Sequence, residues 1–136
     1  MTGLLFIACG QERQQDTTNH AEQEQIAVKS AEKWLALVDQ GKYAESWDEA
    51  AGIFKNAVSK DKWVETINGL RPAFGKVLQR DLKTKTYKTS VPGAPNGEYV
   101  IIQFQTKFEN KESAIETVTP VKEQDGVWRV SGYFIK

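Results

Sequence analysis

Thiols and imidazoles are almost missing from this chain. A single cysteine, Cys9, and a single histidine, His20, occur in 136 residues. One cysteine excludes an intramolecular disulfide and any multi-cysteine zinc site. The histidine stands in a polar stretch near the start, so Ser-His-Asp, Cys-His and His-rich metal chemistry lack their usual parts. No metal set and no cofactor is expected. An excess of one charge is missing too, since Lys+Arg and Asp+Glu are 18 each. Without a clustered basic surface there is little counterion release to drive binding, and nucleic acid is not an expected partner. No apolar run approaches the roughly 18–20 residues of a membrane-spanning helix. Internal repeats are absent, and compositional bias is confined to one Gln/Glu-rich stretch.

What is present begins with "LLFIACG", Leu4 to Gly10. The pattern Phe6-Ile7-Ala8-Cys9 resembles a bacterial lipobox, the cleavage signal of lipoproteins. A small residue, here Ala8, precedes the cysteine that would carry lipid on its sulfur. Two features depart from that pattern: Phe6 stands where leucine is usual, and no Lys or Arg precedes Cys9. Residues 1–9 are read as the remnant of a lipoprotein signal that begins upstream, the alternative being an ordinary N-terminus with a chance cysteine; an envelope location holds with the first. Residues 10–25 are polar and carry no aromatic side chain. Such a stretch cannot bury enough to fold alone and is expected as a disordered spacer. Residues 26–136 are expected as a single domain, long enough for one core without staples. The expected location is the bacterial cell envelope, at the periplasmic face, with contact to the membrane only through Cys9.

Within the domain, apolar residues first recur at helical spacing. Ala27, Ala31, Trp34, Leu35 and Val38 share one face, and Gly41 fits a helix stop. Tyr43, Trp47, Ala50 and Phe54 mark a second helix. Ser59 fits an N-cap for a third, carrying Trp63, Ile67 and Leu70 and closed by Pro72 and Gly75. The period then changes from 3.6 to 2. Strands are predicted over 77–89, 98–109, 114–123 and 127–135, with a break near Pro120. Helices followed by an antiparallel meander define an α+β fold: about three helices packed on a curved four-stranded sheet.

The blocks "WLALVDQGKYAESWDEA", "LRPAFGKVLQRDL", "TSVPGAPNGEYVIIQFQTKFENKESAIETVT" and "DGVWRVSGYFI" resemble the bacterial domain of unknown function 4019 family. The resemblance covers roughly residues 31–135. It implies a secreted or lipid-anchored protein and a helix-then-sheet plan like the cystatin-like, nuclear-transport-factor-like cone. That plan hosts isomerases, dehydratases and non-catalytic binding modules, so it does not decide function.

Two charges conflict with the strand pattern. Alternation puts Arg80 on one face with Leu78 and Leu82, and Glu116 on one face with Ala114 and Val118. A lone buried charge is costly, so each needs a partner. Arg80 and Glu116 are expected to point into the cone and pair, either to fix strand register or to anchor a ligand. Glu116 is also the candidate general base, because a carboxylate in an apolar pocket suits proton transfer. Asp39 and Asp48 are expected as solvated charges, and Arg71 as a helix-end cap. Trp34, Trp47, Trp63 and Trp128 read as core, while Tyr43, Tyr99 and Tyr133 cannot be oriented by pattern. The Pro92–Asn96 loop is longer than a hairpin needs, which suits either a rigid turn or a partner contact. The leading expectation is a non-enzymatic module that binds a protein or small molecule. The alternatives are a small-pocket isomerase- or dehydratase-like enzyme using Glu116, and a homodimer that buries the open sheet face.

Overall fold

A computed structural model describes the backbone of residues 2–136 and the side chains of residues 20–136. Cys9, the expected signal remnant and most of the expected spacer therefore lie outside the residues whose side chains are described. Eight elements follow in order: α1 (Thr2–Asp39), α2 (Tyr43–Asp48), α3 (Gly52–Ala57), α4 (Lys60–Phe74), β1 (Val77–Lys88), β2 (Tyr99–Phe108), β3 (Lys111–Lys122) and β4 (Trp128–Ile135). No helix of the described residues is long and apolar enough to cross a membrane.

The helix stops follow from local chemistry. Gly41 adopts φ +77°, which glycine enters without a Cβ penalty. Its N–H donates to the Val38 carbonyl and that of Lys42 to the Leu37 carbonyl, the paired bonds of a Schellman cap. Ser59 caps α4, its hydroxyl accepting from the Lys62 N–H at 3.2 Å. Between α1 and α4 lie two short helices where one was expected, making four in all. The chain breaks at Ala51 because its N–H turns to the sheet and donates to the Val130 carbonyl at 2.8 Å. Gln23 and Glu24, in the stretch expected as spacer, also reach the sheet. Gln23 accepts from the Trp128 indole at 2.8 Å, and Glu24 from the Tyr87 N–H at 3.2 Å.

All four strands pair antiparallel in the order β1-β2-β3-β4, so β1 and β4 are the edges. The helices cover one face. Ala27, Ala31, Trp34 and Leu35 of α1 meet Val100, Ile102, Phe104, Val118 and Val130 of the sheet in one core. From Val100 to Phe108 the interior strand β2 alternates between buried side chains and more exposed ones, as a strand covered on one face should.

Bulges change the phase at two places that matter. Thr119 pairs with Gly132 but Pro120 pairs with Val130, leaving Ser131 outside the register. Its hydroxyl donates to the Thr119 carbonyl at 2.6 Å. Beyond that extra residue Tyr133 faces the helices, and Phe134 stands 61% exposed on the open face. On β1 a register shift between Val77 and Gln79 leaves Leu78 unpaired and 57% exposed. Arg80 is thus turned inward without the leucine expected beside it.

A smaller core sits at the other end of the sheet. Ala51, Tyr99 and Val121 are buried there, with Ile53, Val91 and Ala94 packed on them. The Tyr99 hydroxyl donates to the Pro95 carbonyl, so the proline-containing loop folds back on its own hairpin.

Candidate functional site

The structure brings Arg80 and Glu116 together. Arg80 comes from β1 opposite Thr106, and Glu116 from β3 opposite Phe104, so both reach the helix-covered face through β2. Arg80 Nε lies 2.7 Å from Glu116 Oε1 and its Nη2 lies 3.3 Å from Oε2. The Glu116 side chain is fully buried. Thr106 Oγ1 donates to Oε1 at 2.6 Å, and the Tyr133 hydroxyl donates to Oε2. Three side chains thereby donate to both oxygens of one carboxylate, which is how a buried charge becomes tolerable.

The pair is half of a larger cluster. Asp39, the last residue of α1, accepts from Arg80 Nη1 at 2.7 Å through Oδ2 and from Arg71 Nη2 at 2.7 Å through Oδ1. Burial opposes ionisation of Asp39, but the hydrogen bonds from Arg80 and Arg71 outweigh it and hold the carboxyl below its ordinary range. For Arg80 burial also opposes the charge, and hydrogen bonds to Asp39 and Glu116 raise its affinity for the proton further. Burial, then the adjacent Glu116 charge, pushes the Tyr133 phenol well above its ordinary value. Arg71 is only 5% exposed and its guanidinium lies 4.9 Å from the Phe108 ring centre. Two arginines balance two carboxylates, so the cluster is neutral.

Asp39 was expected as a solvated charge and Arg71 as a cap; Arg71 is instead buried, and Asp39, still partly exposed, is paired with both arginines. Neither follows from its own segment, because each is defined by a residue distant in sequence. Their signal was composition at the helix ends: a carboxylate closing α1 and an arginine in the last turn of α4. Asp48 does make a surface pair, with Lys60 at 2.8 Å.

Beside the cluster the interior is filled by aromatic rings. Trp34 packs against Phe54, Trp63 and Tyr133, with ring centres 6.2, 5.9 and 5.3 Å away. Ser46 holds two of the indoles. Its carbonyl accepts from Trp34 Nε1 at 2.8 Å, and its hydroxyl accepts from Trp63 Nε1 at 2.9 Å. Trp128, by contrast, lies at the edge of the core and beside open space.

That open space is a groove of about 660 Å³ between α1, α2 and β4. Ile26, Leu37, Trp34, Val127 and Trp128 line it with apolar surface, and Lys29, Lys33, Glu45 and Glu49 line it with charge. A second cleft, about 570 Å³, lies between the proline loop and the β3–β4 turn. A third, about 290 Å³, opens on Asp39, Arg71 and Lys76. Glu116 lines none of the three. Among the described residues no group of His, Cys, Asp and Glu is placed to hold a metal ion.

Fold and site together define an α+β domain whose charge-balanced cluster runs from the buried Glu116 to a partly exposed Asp39, with the larger open volumes at the surface. Such a layout is compatible with the cone implied by the family resemblance. The chain belongs to the family described as protein of unknown function (DUF4019), whose model matches residues 30–133. No curated protein matches it. Among solved structures it is similar to one from Catenulispora acidiphila, with TM-score 0.58 and 12% identity. That match covers 87% of this chain and 93% of the other, and it shows a shared fold.

Proposed function

We propose that this domain is a non-catalytic binding module of the bacterial cell envelope, tethered through lipid on Cys9, whose ligand site is the groove between α1 and β4. The observation that carries the reading is the state of Glu116. Four hydrogen bonds from Arg80, Thr106 and Tyr133 already engage its two oxygens. A general base must be within reach of a substrate proton, and none of the three clefts leads to this carboxylate. Arg80 and Glu116 act as the tie that fixes β1 on β2 and β3. The groove instead offers a volume within the range of about 300–1,000 Å³ typical of ligand sites. Ile26 and Val127, 50% and 46% exposed, present apolar surface there.

Saturable binding of an apolar reporter dye, anilinonaphthalene sulfonate, tests this placement. The signal is expected to be lost in the Ile26→Asp/Val127→Asp variant and kept in Arg80→Met/Glu116→Leu. The reverse pattern would move the site to the interior and favour the isomerase- or dehydratase-like alternative. Tethering is tested separately by palmitate labelling in the producing bacterium, with Cys9→Ala expected to abolish the label.

A further inference from the structure

The groove carries charge in an unusual arrangement. Lys29 and Lys33 stand one turn apart on α1 and both line it; Glu45 of α2 and Glu49, the residue that caps its C-terminus, stand four residues apart and line it as well. Spacing of four residues puts each pair on one helix face. All four residues are exposed. Among the described residues none of them takes part in an ion pair, whereas Arg129, which also lines the groove, is held by Glu123 and Asp125. Like charges one turn apart repel, and an opposite charge placed between them removes that repulsion. The groove thus offers two cations from α1 and two carboxylates from α2 and its C-cap, none held in an ion pair among the described residues, together with apolar surface.

We propose that the groove binds a short apolar peptide with free termini, its carboxylate on Lys29 and Lys33 and its ammonium on Glu45 and Glu49. The peptide's side chains cover Ile26, Leu37 and Val127. This assignment rests on the reading of the groove as the domain's ligand site. A ligand with charge of one sign meets repulsion from one helix, which disfavours nucleic acid and anionic lipid headgroups. A second copy of the chain needs about 800 Å² on each partner for a stable interface, more than a groove of this volume supplies alone.

The test is a titration of the ¹⁵N-labelled domain with trileucine, its N-acetyl form and its C-terminal amide. The reporters are the amides of Gly126 and Val127 and the Trp128 indole N–H. Free trileucine is expected to shift all three reporters, and either cap to weaken binding roughly fivefold. In Lys29→Gln/Lys33→Gln the free and amidated peptides should bind alike. In Glu45→Gln/Glu49→Gln the free and acetylated peptides should bind alike. All four side chains are exposed and none takes part in an ion pair among the described residues, so the fold survives both changes. Equal binding of all three peptides to the native domain overturns the terminus assignment and leaves the binding module standing. No peptide shift with retained dye binding does the same. Loss of both in the folded domain overturns both.

Discussion

Asp39 closes α1 and, through Oδ2, sits 2.7 Å from Nη1 of Arg80 on β1. The contact ties the end of the longest helix to an edge strand that has few apolar side chains of its own facing inward. With Arg71 and Glu116 it makes the helix layer and the sheet a single electrostatic unit.

Breaking the Arg80–Glu116 pair on one side leaves a charge buried without its partner. Arg80→Met and Glu116→Leu are each expected to cost about 3–5 kcal/mol. The double variant should cost much less than their sum, because no lone charge remains. Urea unfolding of the three variants measures the coupling. Additive losses would show that the two side chains act independently.

Stability should fall in acid, and Asp39 sets part of the slope. Its carboxyl is held below the ordinary value in the folded state, so the unfolded chain takes up the proton first as pH drops. The contribution is complete above the unfolded value, about 3.9, and is lost as pH falls through the folded one. Asp39→Asn is expected to be less stable at pH 7 and to lose less on acidification below about pH 5. Chemical unfolding across that range reads both effects.

Tyr133 works at the other end of the scale. Its phenol is pushed up in the folded state, so the unfolded chain loses the proton first as pH rises. Stability from this group is present below the unfolded value, about 10, and declines above it. Tyr133→Phe should cost about 1.5–3 kcal/mol at pH 7 through the lost hydrogen bond to a charged acceptor. It should also flatten the decline above about pH 10.

Gly75 joins α4 to β1 at φ +78°. A Cβ there would lie 2.9 Å from both Cβ and Oε1 of Glu109, whose carboxylate accepts the Lys76 N–H at 2.7 Å. Gly75→Ala meets strain in the backbone and a clash in space, and is expected to cost more than about 1 kcal/mol. The melting temperature measures this. A simultaneous Glu109→Ala change should relieve only the contact with Oε1, since the contact with the residue 109 Cβ remains.

Ser46→Ala removes the acceptor for the Trp63 indole and leaves that donor buried without a partner. The expected cost is about 1–3 kcal/mol, with faster hydrogen exchange at the Trp63 indole. Retention of slow exchange would mean that another acceptor takes over.

Much of this was legible in the residues. The switch of period after Gly75 marks the boundary between helices and sheet, and the strand limits agree with it to within a few residues. Arg80 and Glu116 announced themselves as charges on apolar faces. What pattern alone could not supply was phase after a bulge. Strict alternation from Trp128 and Val130 would turn Phe134 inward, but the skipped Ser131 puts Tyr133 there instead, and a skipped Leu78 takes a leucine out of the core. Nor could it show that Asp39 and Arg71 meet, since 32 residues separate them. The helix break at Ala51 likewise depends on a carbonyl of β4, far along the chain.

The margins of the sheet bear on how this domain behaves when crowded. A strand edge is a template for neighbouring chains unless something occupies or guards it. On β1 the Tyr87 N–H is taken by Glu24, and Lys83, Lys85 and Lys88 repel an approaching copy. On β4 the Val130 carbonyl is taken by Ala51 and the Trp128 carbonyl by Ser30. With these groups engaged and lysines along β1, each border offers a neighbouring strand a shorter template than its length suggests, which favours separate molecules in dense arrays.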